Sequence, residues 1–302
     1  MRRGNYKFFS KYSWYLPGVG GMFGMLALLL LGALLGGIAM MILMAVMGQE
    51  AGTMYGQLVS YPIMFIPPMI YAANKSNTLS MDNGGRKLDS NNFSPLGALV
   101  CVLLAIVSTL AVGFWAEPIT SLLPEMPAAL EETLKGLTTG NFFLNFLAVS
   151  IFAPFFEEWL CRGMVLRGLL NYEHTNKAGE TVRGIKPVWA IVISALFFAL
   201  IHFNSWQGIA AFLMGLIFGY VYYRTGSVKL TMLMHFANNT FALIMSNIDS
   251  LKDIENFEEV IPGALYWAIL AFCIAFIAYF INKFLTIKPL DHQGSCAELV
   301  SE

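Results

Sequence analysis

The chain has 302 residues, of which 57% are hydrophobic and 12% are charged, and its mean hydropathy is +0.63. Soluble globular proteins average about 45–50% apolar and about 25% charged residues, so this composition excludes an ordinary water-soluble domain. The 18 Lys and Arg residues nearly balance the 19 Asp and Glu residues, for a formal net charge of -1. That balance leaves no basic surface to hold a nucleic-acid backbone, and we expect no nucleic-acid partner.

Eight stretches of the sequence are apolar enough, and within a few residues long enough, to cross a lipid bilayer. A membrane helix needs about 20 predominantly apolar residues. In chain order the stretches cover residues 19–48, 54–73, 95–116, 142–170, 188–204, 207–224, 227–248 and 262–286. The sequence therefore predicts an all-α integral membrane protein, a bundle of about eight transmembrane helices. It divides into an N-terminal segment 1–18, an eight-span membrane domain 19–286 and a polar C-terminal tail 287–302.

Basic residues gather on one side of the predicted bundle. Apart from Arg162, which lies inside a span, every Lys and Arg except Lys135 and Lys252 falls on that side, in a connecting segment or at the end of a span. Because cytoplasmic loops collect positive charge, that side is predicted to be cytoplasmic. Both termini then lie in the cytoplasm, which needs an even number of spans and agrees with eight.

The segment between the third and fourth spans has an amphipathic pattern. Leu130, Leu134 and Leu137 recur at helical spacing, with charged residues off that face. A short helix on the non-cytoplasmic surface and a solvated linker are both open at this point.

Charged residues inside the fourth span are the first candidates for a functional site, since each ionisable group costs roughly 2.5–3.5 kcal/mol to insert. Glu158 and Arg162 are four residues apart on one helix face and can form an ion pair that reduces the cost of burying both. Glu157 points about 100° away and has no such partner, which makes it the candidate general base. Pro154 lacks the N–H that would bond the Ser150 carbonyl, so it predicts a kink beside the carboxylates. A purely structural network of the three charges is the alternative.

Two histidines and an asparagine add polar groups in other spans. His202 falls in the fifth predicted span, and His235 and Asn239 share one face of the seventh. With Glu157 they suffice for hydrolysis: the carboxylate takes a proton from water, the imidazoles hold that water or a metal, and the carboxamide donates to the oxyanion. Glu157, His202 and His235 would also make a two-histidine, one-carboxylate zinc site. No HExxH motif is present, so zinc and a metal-free mechanism both stay open.

Three motifs in order, all within predicted spans, resemble those of the CAAX prenyl protease and bacteriocin-processing family of intramembrane endopeptidases, also called the Abi family. The motifs are EExxxR (Glu157, Glu158, Arg162), FxxxH (Phe198, His202) and HxxxN (His235, Asn239). Each motif alone is weak evidence, whereas the three in this order are specific.

The resemblance implies a role for each motif residue. Glu157 matches the catalytic glutamate of the family, and His202 matches the histidine that helps it hold the attacking water. His235 and Asn239 match the pair that completes the water or metal site and stabilises the oxyanion. Arg162 matches a supporting residue.

Glu158 belongs to the first motif, where its role could be only to balance Arg162. The function implied is an intramembrane endopeptidase that hydrolyses a peptide bond of a membrane-associated or lipidated peptide or protein. Water would be activated by Glu157 and His202, and the resemblance leaves the use of zinc undecided. The setting implied is the cytoplasmic membrane of a bacterium.

Two other functions fit the same sequence features. Some relatives act as membrane scaffolds or confer immunity to bacteriocins, so a non-catalytic protein of the same fold is the first alternative. A proton-coupled transporter could use the buried carboxylates and histidines as a relay. It would be expected to show inverted repeats with paired broken helices, and none is visible in the sequence.

Overall fold

The computed structural model describes residues 15–78, 88–138, 140–171, 173–175, 178–179, 181–183, 185–251, 254 and 256–289. The helices in these residues are α1 (Val19–Met47), α2 (Gln49–Thr78), α3 (Ala98–Thr120), α4 (Ala128–Gly136), α5 (Phe142–Asn171), α6 (Pro187–Leu200), α7 (Ser205–Thr225), α8 (Val228–Met245) and α9 (Gly263–Leu285). Between α5 and α6, the strands β1 (Glu173–Thr175) and β2 (Thr181–Arg183) pair antiparallel, with His174 opposite Val182.

The helical architecture predicted from the apolar stretches is confirmed. Each stretch falls on one helix, and α1, α3, α5, α7 and α9 are long and apolar enough to cross a membrane. The protein is therefore an integral membrane protein. That α2, α6 and α8 also cross, giving eight spans, stays a prediction, as do the cytoplasmic termini, because residues 1–14 and 290–302 lie outside the described part of the chain.

The fifth predicted span is wrong at its C-terminal end. It was expected to run over 188–204, whereas α6 has 14 residues and ends at Leu200. Phe203 adopts a left-handed conformation with φ 55°, and the Asn204 side chain caps α7 by accepting a hydrogen bond from the backbone N–H of Gln207 at 2.8 Å. His202 consequently lies in the turn between α6 and α7 and not inside a helix.

Glycines hold α1 and α2 together as a tight antiparallel hairpin. The single residue Gly48, at φ 86°, links the two helices. A Cβ atom built on Gly32 would lie 2.1 Å from the Met64 carbonyl oxygen, and one on Gly36 would lie 2.7 Å from the Ser60 carbonyl oxygen. Only residues without a side chain permit this approach of the two backbones. The hairpin fixes the position of the middle of α2, which reaches the site described below.

Helix α5 departs twice from α-helical geometry. Residues Phe146–Phe152 and Trp159–Leu166 are π-helical, and Ala153–Glu158 between them is α-helical. The first π-helical stretch ends two residues before Pro154, and the kink predicted at this proline stays a prediction. Such π-helical turns occur frequently at functional sites, and both carboxylates of the first motif lie between these two.

The short amphipathic segment after α3 is helical, as α4. Gln57 of α2 donates a hydrogen bond to the Gly136 carbonyl at the end of α4, and Asn247 donates one to the carbonyl of Thr138 at 3.0 Å. Helix α4 therefore lies across the end of the bundle where α2 begins and α8 ends.

Candidate active site

Helices on two sides hold the carboxylate of Glu157. The residue is 8% exposed and lies in the α-helical part of α5. Tyr61 of α2 donates its hydroxyl hydrogen to Glu157 Oε1. On the other side, Nε2 of His235 on α8 lies 3.9 Å from Glu157 Oε2. Glu157 therefore has partners, although its own helix supplies neither of them.

The ion pair predicted within α5 is present and fully buried. Arg162 Nη1 lies 2.7 Å from Glu158 Oε1, and both side chains are 0% exposed. Arg162 Nη2 donates to the Gly215 carbonyl of α7 at 3.2 Å. The same Glu158 oxygen lies 3.2 Å from Nδ1 of His235. Glu158 thus connects the arginine to the histidine that faces Glu157.

Two phenylalanines enclose this network. The Arg162 guanidinium lies 4.5 Å from the ring centre of Phe198 and 5.3 Å from that of Phe218. The His235 ring packs edge-on to Phe198 at 5.5 Å and tilted against Phe218 at 5.8 Å. Stacking on aromatic faces offsets part of the cost of burying the arginine, and the rings keep water from the pair. The imidazole of His235 is consequently held in one orientation.

His202 and Asn239 are each oriented by a backbone carbonyl. Nδ1 of His202 lies 2.8 Å from the Phe198 carbonyl oxygen; when it donates there, Nε2 carries the lone pair. Asn239 Nδ2 donates to the Val149 carbonyl at 2.8 Å, which leaves its second N–H available. Among the described residues, no hydrogen bond or ion pair joins His202 to Glu157.

The structure contains a cavity of about 720 Å³, and the predicted site residues differ in whether they line it. Glu157, His202, His235 and Asn239 line the cavity, whereas Glu158 and Arg162 do not and lie behind it. A cavity of this size falls in the range of binding sites for small ligands or short peptide segments. The geometry therefore separates groups that can meet a substrate from groups that position them. The catalytic roles assigned from the sequence stay predictions.

The residues present do not fit the zinc site considered for Glu157, His202 and His235. Within the described residues, no three His, Cys, Asp or Glu side chains converge as a metal ion requires. Nδ1 of each histidine already has a partner, so only the two Nε2 atoms could bind an ion, and the described residues do not bring them together with Glu157 as a metal-binding group. No step of the mechanism below passes through a metal.

Tyr61 is the residue of the site that the sequence analysis missed. It is 96 positions from Glu157 and outside the three motifs. A tyrosine followed by Pro62 in an apolar stretch was the only signal, and tyrosines in membrane helices are too common for that signal to be specific.

The fold defines an integral membrane protein built from apolar helices, and the site is a carboxylate–imidazole centre inside it. Residues 139–241 match the family model of the type II CAAX prenyl endopeptidase Rce1-like proteins. The match covers about a third of the chain and supports the family predicted from the three motifs. That family is one of proteases, which supports an enzyme acting on a membrane-associated protein. No curated protein and no solved structure matches the chain.

Proposed function

We propose that the protein is an intramembrane endopeptidase that hydrolyses a peptide bond by water activated at Glu157 and His202. The observation that carries this proposal is the shared cavity: two imidazoles, a carboxylate and a carboxamide from α5, α8 and the α6–α7 turn line one space of about 720 Å³. The Rce1-like match over the same residues supports it.

The contacts of Glu157 suggest which oxygen acts as the base. Oε1 accepts the hydrogen bond of Tyr61, whereas Oε2 lies 3.9 Å from His235 Nε2 and has no hydrogen-bond partner among the described residues, so Oε2 is the oxygen left to act as the base. Oε2 takes a proton from water, and Nε2 of His202 accepts the second hydrogen of the same water. The hydroxide attacks the scissile carbonyl carbon, and Glu157 then returns the proton to the departing amine.

The negative charge that develops on the carbonyl oxygen needs donors already in place. Asn239 has one N–H left after its bond to Val149 and is the first of these donors. Glu158 and Arg162 do not line the cavity and act as positioning residues. By holding Nδ1 of His235, Glu158 fixes the tautomer and leaves Nε2 toward the reacting groups.

The cavity walls indicate the kind of substrate. Apart from the polar groups above, they are largely apolar, with Leu29, Met64 and Met214 among them. Such walls suit a peptide that is embedded in the bilayer or carries a lipid. We place the protein, with eight spans and both termini cytoplasmic, in a bacterial cytoplasmic membrane.

The proposed function can be tested by measuring cleavage of membrane-anchored peptides by the protein in proteoliposomes. Glu157→Gln keeps the size of the side chain and removes the base, so we expect kcat/KM to fall by about 10²–10⁴-fold. Glu132→Gln, the same substitution on the exposed side of α4, serves as the control and should retain activity. Equal size-exclusion profiles show that both variants fold. Undiminished cleavage by Glu157→Gln would refute the proposal and favour a non-catalytic scaffold.

A further inference from the structure

Charge separates the helical bundle into two ends. The basic end carries Lys75, Arg167, Lys186, Arg224, Lys229, Lys283 and Lys288, and the acidic end carries Glu50, Glu117, Glu125, Glu131, Glu132, Asp249, Glu258 and Glu259. Lys135 is the only Lys or Arg at the acidic end among the residues that the structure describes. Each end joins segments that are far apart in the sequence, so the asymmetry belongs to the folded protein.

Hydrogen bonds unite the basic end. Lys229 Nζ, in the first turn of α8, lies 2.9 Å from Asp89 Oδ2 in the segment before α3. Asn92 of that segment donates to the carbonyl of Lys288, after α9, at 2.6 Å. The start of α3, the α7–α8 turn and the end of α9 therefore form one face.

Similar contacts unite the acidic end. Trp206, at the start of α7, donates to the Pro124 carbonyl in the segment after α3 at 2.9 Å. The backbone N–H of Glu258 lies 3.4 Å from Glu117 Oε1 near the end of α3. The α3–α4 segment, the α6–α7 turn and the α8–α9 segment form the opposite face.

The cavity extends from Glu157 toward the acidic end. Beyond the motif residues, its walls include Thr120, Thr138, Gln207, Met245 and Phe257, all of which lie at the acidic ends of their helices or in the segments joining them.

Toward the basic end the cavity is closed. Cys161 and Met164, which follow Glu157 in α5, are 0% exposed, as is Thr231, which precedes His235 in α8. None of them lines the cavity. A water molecule or a peptide can therefore reach Glu157 from one side of the bundle.

The short length of α6 explains how polar groups come to lie below the membrane surface at the acidic end of the bundle. Starting at the basic end, its 14 residues rise about 21 Å, against a hydrocarbon core about 30 Å thick. The turn that carries His202 is thus about 9 Å below the opposite surface. Irregular backbone is tolerated at such depth where it lines a cavity that water can enter, and Ile201 and His202 of this turn line the cavity.

Since Lys and Arg mark the cytoplasmic side of a membrane protein, the geometry points to a catalytic cavity that opens on the non-cytoplasmic face. The inference rests on the proposed function and narrows its substrate class. The substrate is a peptide segment presented at the outer leaflet or on the outer surface. A lipidated chain end held at the cytoplasmic leaflet would face the closed end of the bundle.

Cysteine labelling in intact cells tests the orientation. In full-length protein carrying Cys296→Ser, the remaining cysteines are buried. Ser121→Cys adds an exposed thiol at the acidic end and Lys186→Cys adds one at the basic end. We expect a membrane-impermeant maleimide to label Ser121→Cys in intact cells and Lys186→Cys only after permeabilisation. The reverse pattern overturns the inference.

A third variant tests whether the cavity itself opens on that face. Met245→Cys lies in the cavity wall, so the impermeant reagent added outside should abolish cleavage by this variant. Labelled Ser121→Cys, outside the cavity, should remain active. Cleavage by Met245→Cys that persists after labelling overturns the inference. Failure of the proposed function can be distinguished from failure of this inference. In the first case, wild type and Glu157→Gln cleave equally without any reagent.

Discussion

Tyr61→Phe isolates a hydrogen bond to Glu157 from a residue outside the Rce1-like segment. The substitution removes the hydroxyl that donates to Glu157 Oε1 and keeps the ring, which packs on Phe65 at 5.6 Å between ring centres. A hydrogen bond to a charged group contributes about 1.5–3 kcal/mol. A factor of ten in rate corresponds to about 1.4 kcal/mol. Loss of this hydrogen bond should therefore lower kcat by about 10-fold to 100-fold.

Steady-state cleavage in proteoliposomes measures the effect, with Tyr55→Phe as the matched control. Tyr55 is on the same helix but 40% exposed, so its substitution should leave kcat unchanged. We expect KM to change little in either variant, because the lost bond orients the base and does not hold the peptide. Wild-type kcat in Tyr61→Phe would show that Glu157 needs no orientation from α2 and would refute this reasoning.

Two further predictions concern stability, measured by chemical denaturation in detergent micelles. Arg162→Met leaves Glu158 buried without its cation, so the free energy of unfolding should fall by about 3–5 kcal/mol; the double variant with Glu158→Gln should regain part of this, and an unaffected single variant would contradict the pairing. Gly32→Ala places a methyl group against a backbone carbonyl of α2 and should destabilise by about 1–3 kcal/mol, whereas Gly37→Ala, with nothing within 4 Å, should not. Equal midpoints for the two alanine variants would rule out the close approach of α1 and α2.

The helices could be predicted because a membrane imposes a simple rule on sequence. A run of apolar residues long enough to cross the core has few alternatives to a helix, and each predicted stretch lies on a helix of the structure. The bounds were less predictable where polar capping competes with hydrophobicity. Ile201 and Phe203 continue the apolar run of α6, but the Asn204 cap of α7 and the turn at Phe203 end the helix first.

The site was predictable to the extent that its contacts are local. The pair Glu158–Arg162 follows from four-residue spacing, and the structure contains it. The partners of Glu157 come from α2 and α8, 96 and 78 positions away, and no periodicity encodes which faces of three helices will meet. At about 1.5 Å per residue, straight spans would place Glu157 near the middle of the membrane and His235 closer to the start of its span. The structure brings their side chains to 3.9 Å.

The π-helical turns of α5 affect how the protein responds to a change in chain length. A π-helical turn holds about one residue more than the α-helical turn it resembles. Deleting one residue from Phe146–Phe152 would let that turn close into regular α-helix with its hydrogen bonds retained. Because the π-helical turn already accommodates that extra residue, the later side chains would keep nearly the same direction relative to the start of the helix. A deletion from the α-helical residues 153–156 would instead rotate Glu157 by about 100° and direct it away from the cavity, so α5 should tolerate the loss of a residue in the π-helical turn better than the loss of one next to the carboxylate.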